Sequence, residues 1–126
     1  MKKIVTLVIV IIALVGCSNN NKLTVNNLAA EGIHINFMAV EHYVESGSSK
    51  VITDIPNGTY IFSTTYNIPP EAKSANITGE AAGGELIFEK KDTQILLLYG
   101  YTYFDGAYEV NATMSTTRSS TSPTGP

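Results

Sequence analysis

Apolar and polar residues alternate along much of residues 22–114, and this alternation predicts β-strands. Residues 33–37 follow the order apolar, polar, apolar, polar, apolar, which is the period of a strand with one buried face. Residues 51–55 and 59–66 are rich in the β-branched and aromatic residues that strands favour. Beyond the N-terminal segment, no window of ten or more residues has an apolar stripe at helical spacing. The pattern therefore predicts an all-β domain.

Turn-forming residues separate these segments. Residues 46–49 lie between the first two, and Pro56-Asn57-Gly58 is expected to form a tight hairpin before the third, since Asn-Gly readily adopts positive φ. Residues 67–71 contain two consecutive prolines. Because proline cannot donate to a strand ladder, we expect a loop that leaves the sheet there.

The second half of the domain is organised in the same way. Gly83-Gly84 interrupts the pattern, residues 85–90 and 93–99 are predicted to form a hairpin around Lys91-Asp92, and Asp105-Gly106 is predicted to close another. About seven to nine short strands at this spacing indicate a small antiparallel β-sandwich, either immunoglobulin-like or transthyretin-like. A small β-barrel is the alternative.

The N-terminus has a different composition. Lys2 and Lys3 precede an almost wholly apolar run at residues 4–15, which is too short for a bilayer-spanning helix of about 20 residues. The run ends in Leu14-Val15-Gly16-Cys17. This arrangement resembles a bacterial lipoprotein signal peptide, whose lipobox has a leucine or similar residue three positions before an invariant cysteine.

The resemblance implies how the chain is processed and where it is held. Cys17 would carry a diacylglyceryl group on its sulfur, cleavage would follow Gly16, and the new N-terminus would be acylated. The membrane would then be a partner, with the protein on its extracytoplasmic face. Because Ser18 is not the aspartate associated with inner-membrane retention, a two-membrane cell would place it at the outer membrane. A one-membrane cell would place it on the outer leaflet of the plasma membrane.

These patterns divide the chain into four parts. Residues 1–16 form the signal peptide, residues 17–21 a lipidated cysteine with a polar tether, and residues 22–114 the β-sandwich. Residues 115–126 are nearly all Ser, Thr, Pro and Gly with one Arg, and we expect a disordered tail because such residues bury little apolar area. Cys17 is the only cysteine, so no internal disulfide can form.

Charge narrows the choice of partners. Loss of residues 1–16 removes two lysines, so the formal charge moves from −3 to −5. An acidic domain repels phosphate backbones, which argues against nucleic acid and against a polybasic lipid-binding patch.

A short segment in the middle of the chain has a second resemblance. Residues 54–60, Asp-Ile-Pro-Asn-Gly-Thr-Tyr, are similar to a segment of small exported sandwich modules of the transthyretin-like and PEGA types. In those modules the segment is a hairpin that feeds a core strand. Such modules are mostly surface spacers, adhesive elements or subunits of envelope assemblies.

The sequence contains no recognisable catalytic motif. His34 and His42 could share a metal only if the chain turns between them, and we expect His42, which has Glu41 and Glu45 nearby, to face solvent. No nucleophile elbow, zinc-protease motif or phosphate-binding loop is present. We therefore predict no catalytic residue, no metal and no cofactor.

Four tyrosines near the C-terminus form the candidate binding face. Tyr99, Tyr101 and Tyr103 are spaced by two and share one face of an extended strand. If Asp105-Gly106 is a two-residue turn, Tyr103 lies opposite Tyr108. The face either binds a partner, as tyrosine-rich surfaces often do, or closes the core of a chain that lacks tryptophan. We favour the core.

Two functions are compatible with these features. The first is a non-enzymatic, lipid-anchored β module that binds an envelope protein, a glycan or a second copy of itself. The second is a small ligand-carrying or enzymatic lipoprotein with a tyrosine-lined pocket, in which Glu109 or His42 supplies polar chemistry. Composition favours the first, and a closed cavity of several hundred Å³ would favour the second.

Overall fold

Residues 19–118 are described by the computed structural model, and they form nine strands and one short 3₁₀-helix. The strands are β1 (Lys22–Asn27), β2 (Ile33–Phe37), β3 (Val40–Val44), β4 (Ser48–Thr53), β5 (Gly58–Tyr66), β6 (Ser74–Gly79), β7 (Gly83–Phe88), β8 (Thr93–Phe104) and β9 (Ala107–Arg118). The 3₁₀-helix, Glu80–Ala82, lies between β6 and β7. Within this part of the chain, no helix is long and apolar enough to cross a membrane.

The strands form two separate sheets. The larger has the order β4-β1-β8-β9-β6, and the smaller has the order β3-β2-β5-β7. Five neighbouring pairs are antiparallel, whereas β1 with β8 and β6 with β9 are parallel. The predicted all-β sandwich is therefore confirmed, as two sheets rich in antiparallel pairs rather than one closed barrel.

The two sheets pack together through apolar side chains at every second position of their strands. In β8, Ile95, Leu97 and Tyr99 are buried and alternate with residues that are partly or fully exposed. Phe62 of β5 and Leu86 of β7 supply part of the facing layer. Each of these side chains is at most 3% exposed, so the core is built from the inner faces of both sheets.

The local pattern locates several elements correctly. Strand β2 matches the predicted segment, and β5 differs from its prediction by one residue. Asp105-Gly106 closes the β8–β9 hairpin with φ of 55° and 82°, the left-handed conformation that this residue pair readily adopts. The loop with two prolines carries the chain from one sheet to the other, as expected for a loop that leaves its sheet.

Two predicted hairpins are wrong. Pro56-Asn57-Gly58 joins β4 to β5, and Lys91-Asp92 lies between β7 and β8, but in each case the two strands belong to different sheets. Strand β3 was not predicted, because it is mostly exposed and therefore lacks a clear pattern of apolar residues. The turn before it was also missed, because Met38 and Ala39 adopt positive φ angles although neither is a glycine or an asparagine. Turn chemistry shows where a strand stops, but it does not show which sheet receives the next strand.

The sandwich has two ends, which we call the tether end and the far end. The tether end comprises residues 19–21 and the loops at 54–57 and 89–92. The far end comprises the loops at 28–32, 45–47 and 67–73 and the Asp105-Gly106 turn. Strands β1 and β8 both run from the tether end towards the far end.

Residues 19–21 of the predicted polar tether are part of the fold. Asn21 is 1% exposed; its Nδ2 donates to the Ile55 carbonyl (2.7 Å) and to Asn57 Oδ1 (2.9 Å), and its Oδ1 accepts the Thr93 amide (2.9 Å). Asn19 Nδ2 donates to the same Ile55 carbonyl. The predicted boundary at Lys22 is therefore too late. A run of asparagines looks like a solvated linker, but here their amides satisfy buried backbone groups.

The predicted C-terminal boundary is too early. Strand β9 continues to Arg118, so residues 115–118 pair with residues 93–96 of β8. Their Ser and Thr side chains suggested a tail, yet the backbone of residues 93–96 gains a strand partner through them. Residues 119–126 of the expected tail, and the signal peptide with Cys17, lie outside the described residues.

We predict that a chain ending at Met114 is less stable than the full chain by about 2 kcal/mol or more, because several ladder hydrogen bonds of about 1 kcal/mol each are lost. A chain ending at Arg118 serves as the control and should stay within about 0.5 kcal/mol of the full chain. Urea unfolding of the three proteins measures both differences. Coincident curves for the chains ending at 114 and 118 would show that residues 115–118 contribute no pairing energy.

Candidate functional site

The β8–β9 hairpin brings the candidate tyrosines onto one face. Tyr103 pairs directly with Tyr108 across the hairpin, as predicted from the two-residue turn. Tyr99, Tyr101 and Tyr103 alternate with outward-facing residues, so all three lie on the inner face of the larger sheet. Their environments differ along the strand, and this difference divides the predicted face into a core part and an exposed part.

Tyr99 belongs to the core. Its side chain is 0% exposed, and its hydroxyl donates to the Ala81 carbonyl at 2.5 Å. Thr64 Oγ1 lies 2.9 Å from the same hydroxyl. Burial raises the pKa of Tyr99 to about 12, so the phenol stays neutral. Tyr99 is therefore a structural residue that ties the 3₁₀-helix to both sheets, and it is not part of an accessible surface.

Tyr108 is buried as well, but it lies at the far end. It is 1% exposed, and its hydroxyl accepts the backbone N–H groups of Ala30 (3.2 Å) and Glu31 (3.3 Å). Burial raises the pKa of Tyr108, although the two amide donors act in the opposite direction. Because the ring packs inside while the hydroxyl fixes a loop, Tyr108 holds the far end of the sandwich together.

Three further tyrosine rings surround Tyr108. The centroids of Tyr101 and Tyr103 both lie 5.7 Å from that of Tyr108, and the centroid of Tyr66 lies 6.4 Å from it. Tyr101 is 45% exposed, whereas Tyr66 and Tyr103 are half-buried. We call these four residues the tyrosine cluster. Tyr66, Tyr101 and Tyr103 are partly exposed, and their rings pack against the buried ring of Tyr108.

Tyr66 was missing from the predicted face. It is the last residue of β5, in the opposite sheet, and no sequence spacing relates it to the β8–β9 hairpin. The sequence indicated only that the Tyr66 side chain projects from one face of a strand. It did not indicate that this face of β5 contacts Tyr108.

Acidic residues border the tyrosine cluster. Glu31, Glu71 and Asp105 lie in the far-end loops, with Lys73 beside them. Partial burial, and then the Glu71 carboxylate, raise the pKa of Tyr103. The phenols of Tyr103 and Tyr108 therefore stay neutral at neutral pH, and the formal charge of the far-end loops is negative.

A shallow depression lies behind the cluster, on the outer face of the larger sheet. It is open to solvent, has a volume of about 500 Å³, and has Thr102, Phe104, Tyr108 and Glu109 among its lining residues. Phe104 is 82% exposed. Glu109 alternates with the buried Tyr108 and Val110, so its carboxylate faces away from the exposed tyrosines. This open depression does not have the form of a closed tyrosine-lined pocket.

The two histidines lie on opposite faces of the smaller sheet. His34 Nδ1 is 2.7 Å from Glu41 Oε2 on the outer face. His42 pairs with the buried Ile35, so it points inward and is only partly exposed. Burial and then Lys50 lower the pKa of His42, which favours the neutral ring. The chain does turn between the histidines, but the turn does not bring them to one metal.

The described residues contain no group of three or more His, Cys, Asp or Glu side chains that could hold a metal ion. Cys17, the predicted lipidation site, falls outside them.

Comparisons with known proteins give no match: no protein-family model matches the chain, and no curated protein matches it in sequence.

We predict that the tyrosines separate into two classes when each is replaced by alanine. Tyr108→Ala should lower the free energy of unfolding by about 3–5 kcal/mol, because a large buried ring leaves a cavity. Tyr101→Ala should cost less than about 1 kcal/mol, since nearly half of its side chain is already exposed, and Tyr103→Ala should fall between. Denaturant unfolding of the three variants provides the measurement. Equal losses for Tyr101→Ala and Tyr108→Ala would contradict this division.

Proposed function

We propose that this protein is a lipid-anchored, non-enzymatic module of the bacterial cell envelope that binds an envelope protein or glycan through its tyrosine cluster. The observation that carries the proposal is the arrangement of this cluster. Exposed Tyr101 and half-buried Tyr103 rest on buried Tyr108, at the end of the sandwich farthest from the N-terminal segment.

The arrangement suits a binding surface for physical reasons. A phenol ring offers a large apolar area and a hydroxyl with few rotatable bonds, so little conformational entropy is lost when it is covered. Rings already packed on Tyr108 lose still less. The acidic residues around the cluster favour a partner with basic or uncharged polar groups at its contact.

The anchor rests on the sequence. The basic n-region, the short apolar run and Leu14-Val15-Gly16-Cys17 support lipidation at Cys17 and an extracytoplasmic location. Two or more acyl chains hold a protein firmly at a membrane, because each buried methylene contributes about 0.8 kcal/mol.

A ligand carrier or small enzyme with a tyrosine-lined pocket is the weaker candidate. It needs His42 or Glu109 to face the tyrosines, yet Glu109 lies on the outer side of its sheet and His42 lies on β3 of the other sheet. The depression near the cluster is open rather than enclosed.

We predict that Cys17→Ser abolishes lipidation and signal-peptide removal, because the sulfur is the acyl acceptor and a serine hydroxyl is a far weaker nucleophile at neutral pH. Metabolic labelling with a radioactive fatty acid, together with the mobility of the protein on a denaturing gel, measures both steps. A variant of mature size that remains in the membrane fraction would refute the anchor.

We also predict that Tyr101→Ala weakens partner binding by about 2 kcal/mol, a size typical of an aromatic anchor at an interface, while the fold stays intact. The experiment is a crosslinking pulldown of the lipidated protein from its own envelope, followed by affinity measurement with the captured protein or glycan. Tyr43→Ala is a matched control, since Tyr43 is 47% exposed on the outer face of the other sheet, compared with 45% for Tyr101. Equal affinity of both variants would remove the tyrosine cluster from the proposal.

A further inference from the structure

We propose that the tether end of the sandwich docks directly on anionic lipid headgroups, so that the domain stands upright with the tyrosine cluster directed away from the bilayer. The inference rests on the proposed lipid anchor at Cys17. It adds an orientation and a second contact surface, neither of which follows from lipidation alone.

The asparagines that follow Ser18 are bonded to the folded domain. Asn19 and Asn21 are fixed to Ile55, Asn57 and Thr93 by side-chain hydrogen bonds of 2.7–2.9 Å. The backbone amide of Asn20 donates to the Lys91 carbonyl at 2.8 Å. Asn19, the first residue that the structure describes, is therefore fixed at the tether end, so Ser18 must join the domain there.

Covalent geometry then limits the distance to the membrane. Ser18 is the one residue between Cys17 and Asn19. Because each residue spans at most about 3.6 Å, the Cα atoms of Cys17 and Asn19 are no more than about 7 Å apart. Acyl chains on Cys17 enter the bilayer, so the loops that hold Asn19 and Asn21 must lie at the level of the headgroups. The domain cannot tumble freely above the surface.

Charge is distributed unevenly between the two ends. At the tether end, the basic residues Lys22, Lys90 and Lys91 accompany the acidic residues Asp54, Glu89 and Asp92, which gives a formal charge of zero. At the far end, Lys73 accompanies Glu31, Glu45, Glu71 and Asp105, which gives −3. The net negative charge therefore lies at the far end, whereas Lys90 and Lys91 are exposed at the tether end. An anionic surface repels the far end and attracts these two lysines.

The loop between β7 and β8 presents these two lysines. Lys90 and Lys91 have φ of 60° and 55°, a conformation that residues other than glycine rarely adopt, and both are exposed. Asn57 Oδ1 accepts the Lys91 amide at 3.0 Å, and the Asn20 amide is bonded to the Lys91 carbonyl. The loop that carries the lysines is thereby bonded to the segment that leads to the anchor, so lipid insertion brings them to the surface together.

The orientation places the tyrosine cluster well above the membrane. Strand β8 runs from the tether end to the far end over 12 residues, which corresponds to roughly 36 Å at about 3.3 Å per residue. A partner could reach Tyr101 without entering the headgroup layer.

The test uses the full mature lipidated protein in vesicles made of phosphatidylglycerol and phosphatidylcholine, or of phosphatidylcholine alone. A fluorophore is attached to Thr53→Cys at the tether end or to Ala107→Cys at the far end, two exposed strand residues of the same sheet. Neither replacement changes the charge, and lipidation blocks the Cys17 sulfur. Lipids spin-labelled on the headgroup quench a fluorophore that is close to the surface.

We expect quenching at position 53 to be several-fold stronger than at position 107, and stronger in anionic than in neutral vesicles. Lys90→Glu together with Lys91→Glu should remove the effect of anionic lipid. Lys50→Glu together with Lys73→Glu, which makes the same change in net charge away from the tether end, should preserve it. Circular dichroism and unfolding curves show that each variant is folded.

The outcomes separate this inference from the function on which it rests. Anchored protein with equal quenching at the two positions would overturn the orientation but leave the lipid anchor intact. Quenching at position 53 that ignores both lipid charge and the Lys90 and Lys91 replacements would overturn the docking on anionic headgroups. Protein that does not stay with vesicles after flotation would overturn the anchor, and the orientation with it.

Discussion

The β8–β9 hairpin pairs twelve residues of each strand, at least twice as many as any other strand pair among the described residues. Strand β8 pairs with β1 on one side and β9 on the other, and β9 in turn holds β6, so the larger sheet is assembled around this hairpin. Each of its strands has 12 residues, whereas β5, the longest strand of the smaller sheet, has nine. The inner face of the hairpin is therefore covered by the other sheet along only part of its length. One part supplies Leu97 and Tyr99 to the core, and the part nearest the turn carries Tyr101 and Tyr103.

The neighbouring strands account for the two environments of the tyrosines. Tyr108 lies on β9 between β8 and β6, and the loop at residues 28–32 completes its burial through two backbone amides. The pairing of β8 with β1 ends at Tyr99, so Tyr101 and Tyr103 lie on a stretch of β8 that β1 does not flank, and their rings pack against Tyr108. The sequence predicted the shared face and the pairing of Tyr103 with Tyr108, because both follow from a period of two and a two-residue turn. It did not predict where β1 stops pairing with β8, which depends on strands distant in the chain.

The same distinction between local and distant information explains the errors at the boundaries. A run of asparagines and a run of serines and threonines both have the composition of unstructured segments. Asn21 is nevertheless buried because its amide serves three partners at positions 55, 57 and 93. Residues 115–118 form a strand because β8 is long enough to pair with them. Net charge also carries no information on position: the total of −5 does not show that Lys90 and Lys91 lie at the opposite end of the domain from Glu71 and Asp105.

The parallel pairing of β1 with β8 sets the order in which the domain can form. Lys22 of β1 is paired with Gln94 of β8, so β1 can complete its pairing only after a strand about 70 residues further along the chain is present. During synthesis from the N-terminus, β1 can pair with β4 before β8 has been made. Until then the inner face of the β1–β4 pair stays exposed to water. Contacts between such distant residues slow folding, because the intervening chain must be closed before they contribute energy. The sandwich therefore closes late and as a unit, once the β8–β9 hairpin is available to both sheets.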